Sequence, residues 1–141
     1  MIYLDTSFIV PLVISEHSSD AIEALVVKVK PGDLATSLWT QIEIASLVAR
    51  KVRMGELTVE EADAVRREFR KILDESFEVM LPTASDFDTA RDYLETPKTG
   101  LRAGDAFHLA IAANHGARKI WSRDQGFIKA GKQLKLPVGA G

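Results

Sequence analysis

The chain has 141 residues, of which 46% are hydrophobic and 27% are charged, the size and composition of one globular domain. It has no cysteine, which excludes disulfide scaffolds, zinc sites built on thiolates and cysteine nucleophiles. The formal net charge of −2 argues mildly against a nucleic-acid binder, but four acids gathered at one metal site would leave +2 on the rest of the chain.

Short apolar runs alternate with longer stretches of helical periodicity along the chain. The short runs predict strands over residues 2–4, 34–36, 77–81, 119–121 and 136–138. Between them, helices are predicted over residues 7–13, 19–29, 39–52, from 58 onward, 85–94, 103–114 and 125–130. This alternation predicts an α/β fold: one domain over residues 1–141, with a central parallel sheet of about four to five strands flanked by helices on both faces.

Two of the predicted helices begin at residues that cap well. Thr58 is followed three residues later by Glu61, which is the pattern of a capping box. Ser85 is predicted to cap the helix that runs on to Leu94. Both residues predict a helix start that the apolar pattern alone leaves undefined.

The sequence contains no run of about 18 apolar residues, so no membrane-spanning segment is predicted. The N-terminus lacks a positively charged segment, and Asp5 interrupts its apolar run early, so no secretory signal is predicted either. We therefore expect a cytoplasmic protein that has no membrane partner.

Two acidic residues follow predicted strands closely. Asp5 comes immediately after the first strand, and Asp124 comes three residues after Trp121, the last residue of the fourth strand. In parallel sheets covered by helices, ligands bind beyond the carboxyl ends of the strands. The sequence therefore predicts that these two acids, which are distant along the chain, lie at the same edge of the sheet.

Two further acids lie inside predicted helices among apolar neighbours. Glu43 stands between Ile42 and Ile44, and Asp105 lies in the first turn of the helix over residues 103–114. A carboxylate buried among small apolar residues needs a partner, and a metal ion is one such partner. Each of the four acids also has an ordinary structural interpretation, as a helix N-cap, a solvent-facing residue or a charge that suits a helix N-terminus.

Taken together, the four acids would form a site of oxygen ligands only. Hard cations such as Mg²⁺ and Mn²⁺ prefer carboxylate and water oxygens, and they relieve the repulsion between crowded carboxylates. Such a cation can lower the pKa of a bound water, and a second cation can stabilise the leaving oxygen of a phosphoryl displacement. Thr6 and Ser122 are nearby hydroxyls, and Thr6 is expected to orient Asp5 through a hydrogen bond.

The chain carries four motif segments in a fixed order: residues 2–7, Glu43, residues 101–110 and residues 122–127. Together they resemble the PIN-domain family, and most closely its VapC-type toxins, over nearly the whole chain. The resemblance assigns the family's metal-binding and catalytic acids to Asp5, Glu43, Asp105 and Asp124. Ser122 stands where the family often has threonine, and it keeps the hydroxyl.

The resemblance implies an endoribonuclease that depends on Mg²⁺ or Mn²⁺ and hydrolyses RNA phosphodiester bonds with a metal-activated water. It also implies the toxin of a VapBC-type toxin–antitoxin pair, which a cognate antitoxin protein holds inactive. Members of this family commonly form homodimers. The expected partners are therefore RNA, the antitoxin and a second copy of the chain.

The four acids leave other functions open. One alternative is a catalytically silent PIN-fold module that binds RNA or protein, although such a module would be expected to lose acids that are all present here. Another is a PIN nuclease that processes RNA and is not a toxin. A haloacid-dehalogenase phosphatase would need an aspartate at the position of Ser7, and a dinucleotide-binding domain would need a glycine-rich turn after the first strand.

The remaining candidates are basic residues. Lys98 and Arg102 lie in the loop before Asp105, where they would either contact RNA phosphates or keep the loop soluble. Arg50 lies in a basic run at the end of a helix, where cations suit the helix dipole. His108 is expected to be a packed or surface residue rather than a general base.

Overall fold

The computed structural model describes the whole chain, residues 1–141, and contains five strands. Their bounds are Ile2–Leu4 (β1), Leu34–Ser37 (β2), Glu78–Met80 (β3), Lys119–Trp121 (β4) and Val138–Gly139 (β5). The strands form one sheet in the order β3-β2-β1-β4-β5, and every neighbouring pair is parallel. The predicted parallel sheet is therefore confirmed.

Seven α-helices accompany the strands, and each lies where a helix is predicted. Their bounds are Thr6–Val13 (α1), Ser19–Val26 (α2), Leu38–Arg53 (α3), Val59–Ser76 (α4), Ala84–Leu94 (α5), Ala103–Asn114 (α6) and Gln125–Gln133 (α7). A short 3-10 turn, Pro97–Thr99, precedes α6. None of the helices combines the length and the apolar character that crossing a membrane requires.

One of the two predicted helix caps is correct and the other is wrong. Thr58 caps α4 as predicted: its side chain accepts from the Glu61 N–H at 3.1 Å, and the Glu61 side chain accepts from the Thr58 N–H at 3.2 Å. Ser85, in contrast, lies inside α5, whose N-cap is Thr83. Thr83 and Ser85 are both hydroxyl residues near the helix start, and the capping box that Thr83 forms with Asp86 places the cap at Thr83.

Asp86, in the first turn of α5, is fully buried and also contacts the end of α6. Its carboxylate accepts from the Thr83 N–H at 2.8 Å, from the Asn114 amide at 2.8 Å and from the His115 ring at 3.2 Å. The Asp86 carboxylate therefore both caps the start of α5 and joins this helix to the end of α6.

The first strand shows how the sheet separates two apolar cores. Side chains alternate along a strand, so Ile2 and Leu4 pack into one core and Tyr3 packs into the other. Helices α1 to α4 supply the first core, and helices α5, α6 and α7 supply the second. Helices thus cover both faces of the sheet, as predicted.

The order of the strands reverses at β1. The chain moves outward from β1 to β2 and β3, and then crosses back to place β4 on the other side of β1. At such a point a crevice opens beyond the carboxyl ends of the strands. Asp5 follows β1 at this crevice, and its N–H donates to the Trp121 carbonyl of β4 at 3.1 Å.

Candidate active site

A cleft of about 490 Å³ opens at this edge of the sheet, and all four predicted acids line it. Each acid comes from a different part of the fold. Asp5 joins β1 to α1, Glu43 lies in α3, Asp105 lies in the first turn of α6, and Asp124 joins β4 to α7. The two strand-end acids therefore share one edge, as the sequence predicts.

Asp5 is the most tightly held of the four acids, and only 4% of it is exposed. One carboxylate oxygen, Oδ1, accepts from the Ser7 hydroxyl at 2.7 Å and from the Phe8 N–H at 3.1 Å. The other, Oδ2, accepts from the Ser122 hydroxyl at 2.6 Å. Burial raises the pKa of Asp5, and these hydrogen bonds act in the opposite direction.

The structure corrects the predicted role of Thr6. Thr6 was expected to orient Asp5, but its hydroxyl donates to Glu43 Oε1 at 2.7 Å. Ser7 is the residue that contacts Asp5 from the same turn. Thr6 is the first residue of α1, and its side chain faces α3, so its hydroxyl reaches the acid of that helix instead.

Asp124 is held in place as the cap of a helix and also lines the cleft. It is the N-cap of α7, and its Oδ1 accepts from the Phe127 N–H at 3.0 Å. Its own N–H donates to the Ser122 hydroxyl at 3.0 Å. Ser122 therefore joins Asp124 to Asp5, and both acids are helix N-caps that also line the cleft.

Glu43 and Asp105 differ in how the protein supports them. Glu43 is 31% exposed, and its Oε1 contacts both Thr6 and the ring of His108. Burial acts to raise the pKa of Glu43, but the contacts with His108 and Thr6 outweigh it and hold the pKa below its usual value. The carboxylate of Asp105 accepts no hydrogen bond from the protein. Burial and the charge of Asp124 raise its pKa to about 6.

The cleft fits a hard cation in its donor chemistry. Its acids offer carboxylate oxygens, and a divalent cation would stabilise the ionised form of Asp105, whose pKa is raised by burial and then by the charge of Asp124. The geometry is not that of a closed site, because no three His, Asp or Glu side chains are placed to hold one ion as they stand. Both oxygens of Asp5 are instead occupied by hydrogen bonds.

The structure does not bring the two predicted RNA-contacting cations into the cleft. Lys98 lies in the 3-10 turn and Arg102 is the N-cap of α6; both are exposed, and neither lines the acidic cleft. The cation that does line it is Arg50. Helical spacing could have identified Arg50, because Glu43, Ser46 and Arg50 follow one face of α3.

His108 is the main residue of the cleft that sequence reasoning missed. It is 2% exposed, it lines the cleft, and its Nε2 contacts Glu43. The signal was present, since His108 follows Asp105 by three residues and this spacing places both on one face of a helix. Its partner on α3 is 65 residues away, and only the fold brings the two together.

Gly104, next to Asp105, marks a close approach between α6 and α3. A Cβ at this position would lie 3.3 Å from Glu43 Oε2 and 3.5 Å from the Trp39 indole nitrogen. Trp39 lines the acidic cleft, and it also lines a neighbouring apolar groove between α3 and α5. The absence of a side chain at Gly104 therefore leaves room for the Glu43 carboxylate.

Comparison with known proteins now assigns the family. The model of the PIN domain matches residues 2–133. The chain belongs to the PIN domain family. The resemblance read from the four motif segments is thereby confirmed, and no curated protein sequence gives a significant match to this PIN domain.

Solved structures share the fold of this PIN domain at low sequence identity. FitAcB from Neisseria gonorrhoeae superposes with a TM-score of 0.72 at 22% identity, covering 98% of this chain and 96% of its own. VapC20 from Mycobacterium tuberculosis gives 0.71 at 20% identity, with 93% and 95% covered. VapBC2 from Rickettsia felis, bound to a DNA fragment, gives 0.70 at 17% identity, with 99% and 98% covered. These likenesses establish the fold alone.

Proposed function

We propose that this PIN domain is an endoribonuclease that depends on Mg²⁺ or Mn²⁺. The observation that carries the proposal is the convergence of four carboxylates from separate elements in one cleft at the strand-order reversal. Burial and the charge of Asp124 raise the pKa of Asp105 to about 6, and its carboxylate accepts no hydrogen bond from the protein. An acid with a strongly raised pKa in a cleft indicates a functional site, and a bound cation would stabilise its ionised form.

Asp5, Glu43, Asp105 and Asp124 would hold the cation. When bound, a divalent cation supplies the positive charge that activates water and stabilises the leaving oxygen of a phosphodiester. The protein's own part is to orient the ligands: Ser7 and Ser122 fix the carboxylate of Asp5, and Thr6 contacts that of Glu43. Asp105 is the ligand least constrained by the protein.

Arg50 is suited to bind an RNA phosphate beside the acids. It is exposed, it lines the cleft, and it forms no ion pair with a neighbouring acid. Lys98 and Arg102 lie outside the cleft and remain proposed contacts for more distant phosphates. Phosphate contacts of this kind position the substrate and carry no sequence information, so the bases that are recognised stay undefined.

RNA is proposed as the substrate for two reasons. The sequence resembles VapC-type toxins, and VapC20, which shares the fold, is a toxin that cleaves the sarcin–ricin loop. We propose by the same reasoning that this chain is the toxin of a VapBC-type pair and that a cognate antitoxin inhibits it. A PIN nuclease that processes RNA would have the same cleft but no inhibitory partner.

The nuclease proposal is tested by incubating the purified protein with a mixed RNA pool and Mg²⁺ or Mn²⁺. We expect cleavage that EDTA abolishes and that Asp5→Asn abolishes, because the amide cannot serve as an anionic ligand. Asp88→Asn is the matched control, since Asp88 is an exposed acid on α5 outside the cleft. A folded protein that neither cuts RNA nor binds Mn²⁺ would contradict the proposal and favour a silent binding module.

A second copy of the chain is the proposed occupant of the apolar groove between α3 and α5. The groove exposes large apolar side chains, with Ile42 60%, Phe87 62% and Leu94 39% exposed. Contiguous exposed apolar surface of this kind marks an interaction site, and the groove adjoins the acidic cleft through Trp39 and Ile42. The homodimer implied by the family resemblance would cover it.

Light scattering after size exclusion tests the homodimer. We expect a dimer for the wild type and a monomer for Phe87→Glu, because the substitution places a charge in the apolar groove. Val27→Glu is the control, since Val27 is 73% exposed at the end of α2, away from the groove. A wild type that stays monomeric at high concentration would rule out this use of the groove.

A further inference from the structure

His108 is the buried polar residue of the cleft that the proposed chemistry does not use. It lies inside α6 between Phe107 and Leu109, and only 2% of it is exposed. Burying an imidazole among apolar side chains is unfavourable unless its nitrogens find partners. The partners of His108 therefore explain what the residue does in this position.

Both ring nitrogens of His108 have partners. Nδ1 lies 2.8 Å from the Tyr3 hydroxyl, and Nε2 contacts Glu43 Oε1 and lies 3.1 Å from the Thr6 hydroxyl. An ionised carboxylate can only accept a hydrogen bond, so Nε2 carries a hydrogen and donates it to Glu43. The ring is therefore held on one side by Tyr3 and presents its donor to the acid on the other.

The contact between His108 and Glu43 is the outer end of a chain of side chains. Ser37 at the end of β2 lies 2.9 Å from the Tyr3 hydroxyl, Tyr3 lies next to His108, and His108 reaches Glu43 on α3. Ser37 and Tyr3 are fully buried, whereas Glu43 is 31% exposed. The orientation of the exposed carboxylate is thus set from the rigid interior of the protein.

We propose that His108 is a positioning residue, which holds the Glu43 carboxylate in the orientation that the cation and the substrate require. The proposal rests on the proposed nuclease function, because it assigns Glu43 to the metal site. A glutamate has several rotatable bonds and would otherwise sample many orientations in the open cleft. Loss of a hydrogen-bond partner that orients a metal ligand costs about 10–100-fold in metal affinity or activity.

Two substitutions at this one position separate the contact with Glu43 from the contact with Tyr3. The amide nitrogen of His108→Gln is as many bonds from the Cα as Nε2, so this variant can still donate to Glu43. The amide of His108→Asn corresponds to Nδ1, so this variant keeps a group beside Tyr3 and loses the donor to Glu43. Both variants remove the same aromatic ring from the core.

The readouts are Mn²⁺ affinity by calorimetry, kcat and KM for RNA cleavage, and the urea midpoint of unfolding. We expect His108→Asn to lose about 10–100-fold in Mn²⁺ affinity and kcat, and His108→Gln to recover most of that loss. The two variants should unfold at similar urea concentrations. His115→Asn is the matched control, because His115 follows α6 outside the cleft, and it should leave Mn²⁺ affinity unchanged.

If either His108 variant fails to fold, Tyr3→Phe replaces it, because this change removes one hydroxyl and keeps the buried ring. It should lower Mn²⁺ affinity less than His108→Asn does, since the direct donor to Glu43 remains. Equal Mn²⁺ affinity and kcat in the wild type and in all folded variants would overturn the positioning role while leaving the nuclease standing. A wild type that neither binds Mn²⁺ nor cuts RNA would overturn the nuclease proposal, and the positioning role with it.

Discussion

Two carboxylate–histidine pairs involve α6 and its C-cap, and they differ in which partner is buried. In the cleft, His108 is buried and its partner Glu43 is 31% exposed. Beyond the end of α6, His115 is 24% exposed and its partner Asp86 is fully buried. The two histidines are seven residues apart in sequence, and the acid is the more exposed partner in the first pair and the buried partner in the second.

The two acids differ in whether a carboxylate oxygen remains free to accept a further ligand. Asp86 accepts hydrogen bonds from Thr83, Asn114 and His115, so its carboxylate is saturated by the protein. Glu43 keeps Oε2 outside the protein's hydrogen bonds, at the cleft. A saturated buried acid joins two helices, whereas a partly free acid at a cleft can accept a ligand. Acid–histidine pairing alone therefore does not identify a site.

The largest expected effect is at Asp105, whose carboxylate accepts no hydrogen bond, unlike those of the other three acids. Asp105→Asn should abolish RNA cleavage and yet stabilise the metal-free protein. Burial and the charge of Asp124 raise the pKa of Asp105 to about 6, so near pH 7.5 the ionised group opposes folding. The gain should be on the order of 1 kcal/mol, after allowance for solvent screening at this half-exposed group.

Urea unfolding in EDTA measures that gain, and the RNA assay measures the loss of cleavage. A variant that is both inactive and less stable than the wild type would show that Asp105 has a structural role that its contacts do not reveal. Asp88→Asn, on exposed α5 surface, should change neither quantity.

The second-largest expected effect is at Asp86, where we expect a loss of stability and no loss of Mn²⁺ affinity. Asp86→Ala removes an acceptor shared by three donors in a buried position, and it should lower the free energy of unfolding by about 2–4 kcal/mol. Mn²⁺ affinity should stay within error of the wild type, because Asp86 does not line the acidic cleft. A large loss of Mn²⁺ affinity with little loss of stability would erase the distinction between the two pairs.

The dependence of stability on pH tests the structural role of Asp86 in a second way. Burial acts to raise the pKa of Asp86, but its hydrogen bonds outweigh burial and hold the pKa below the usual 3.8. The stabilisation from Asp86 is therefore fully present above about pH 4 and is lost as pH falls through the lowered pKa. The stability difference between the wild type and Asp86→Asn should be constant near neutral pH and shrink below about pH 4 in urea titrations. A difference that grew in acid would contradict this sign.

The smallest expected effect is at Gly104. In Gly104→Ala the new Cβ would lie 3.3 Å from Glu43 Oε2, so the carboxylate must shift by a few tenths of an ångström. We expect Mn²⁺ affinity to fall several-fold. Stability should change little, because the gain of about 1 kcal/mol in helix propensity from glycine to alanine offsets the cost of the close contact. Gly139→Ala serves as control, since nothing lies within 4 Å of its added Cβ. Unchanged Mn²⁺ affinity in Gly104→Ala would mean that the Glu43 position is not critical.

Sequence reasoning predicted the features that follow from local pattern and general rules of topology. The strand over Lys119–Trp121 and the helix over Ala103–Asn114 have the predicted bounds. The placement of Asp5 and Asp124 at one edge followed from the rule for parallel sheets. The other two acids were singled out by family resemblance, because a lone acid inside an apolar helix has an equally good structural explanation.

Features that depend on distant partners were not predictable from the sequence. Nothing near His108 in the sequence indicates that Glu43 will lie beside it. The last strand was predicted over residues 136–138, but the Leu136 N–H donates back to the Gly131 carbonyl and proline has no N–H, so β5 begins at Val138. The pattern of apolar residues from which the strand was predicted takes account of neither the Leu136 hydrogen bond nor the missing N–H of Pro137.

The hydroxyl of Ser122 has a consequence for the synthesis of the chain. It contacts Asp5 across 117 positions of sequence and also accepts from the Asp124 N–H, so it joins an acid at the end of β1 to one at the end of β4. The carboxyl edge of β1 lacks its β4 neighbour until that segment has left the ribosome. A chain whose synthesis has not yet passed Asp124 therefore holds no complete cleft.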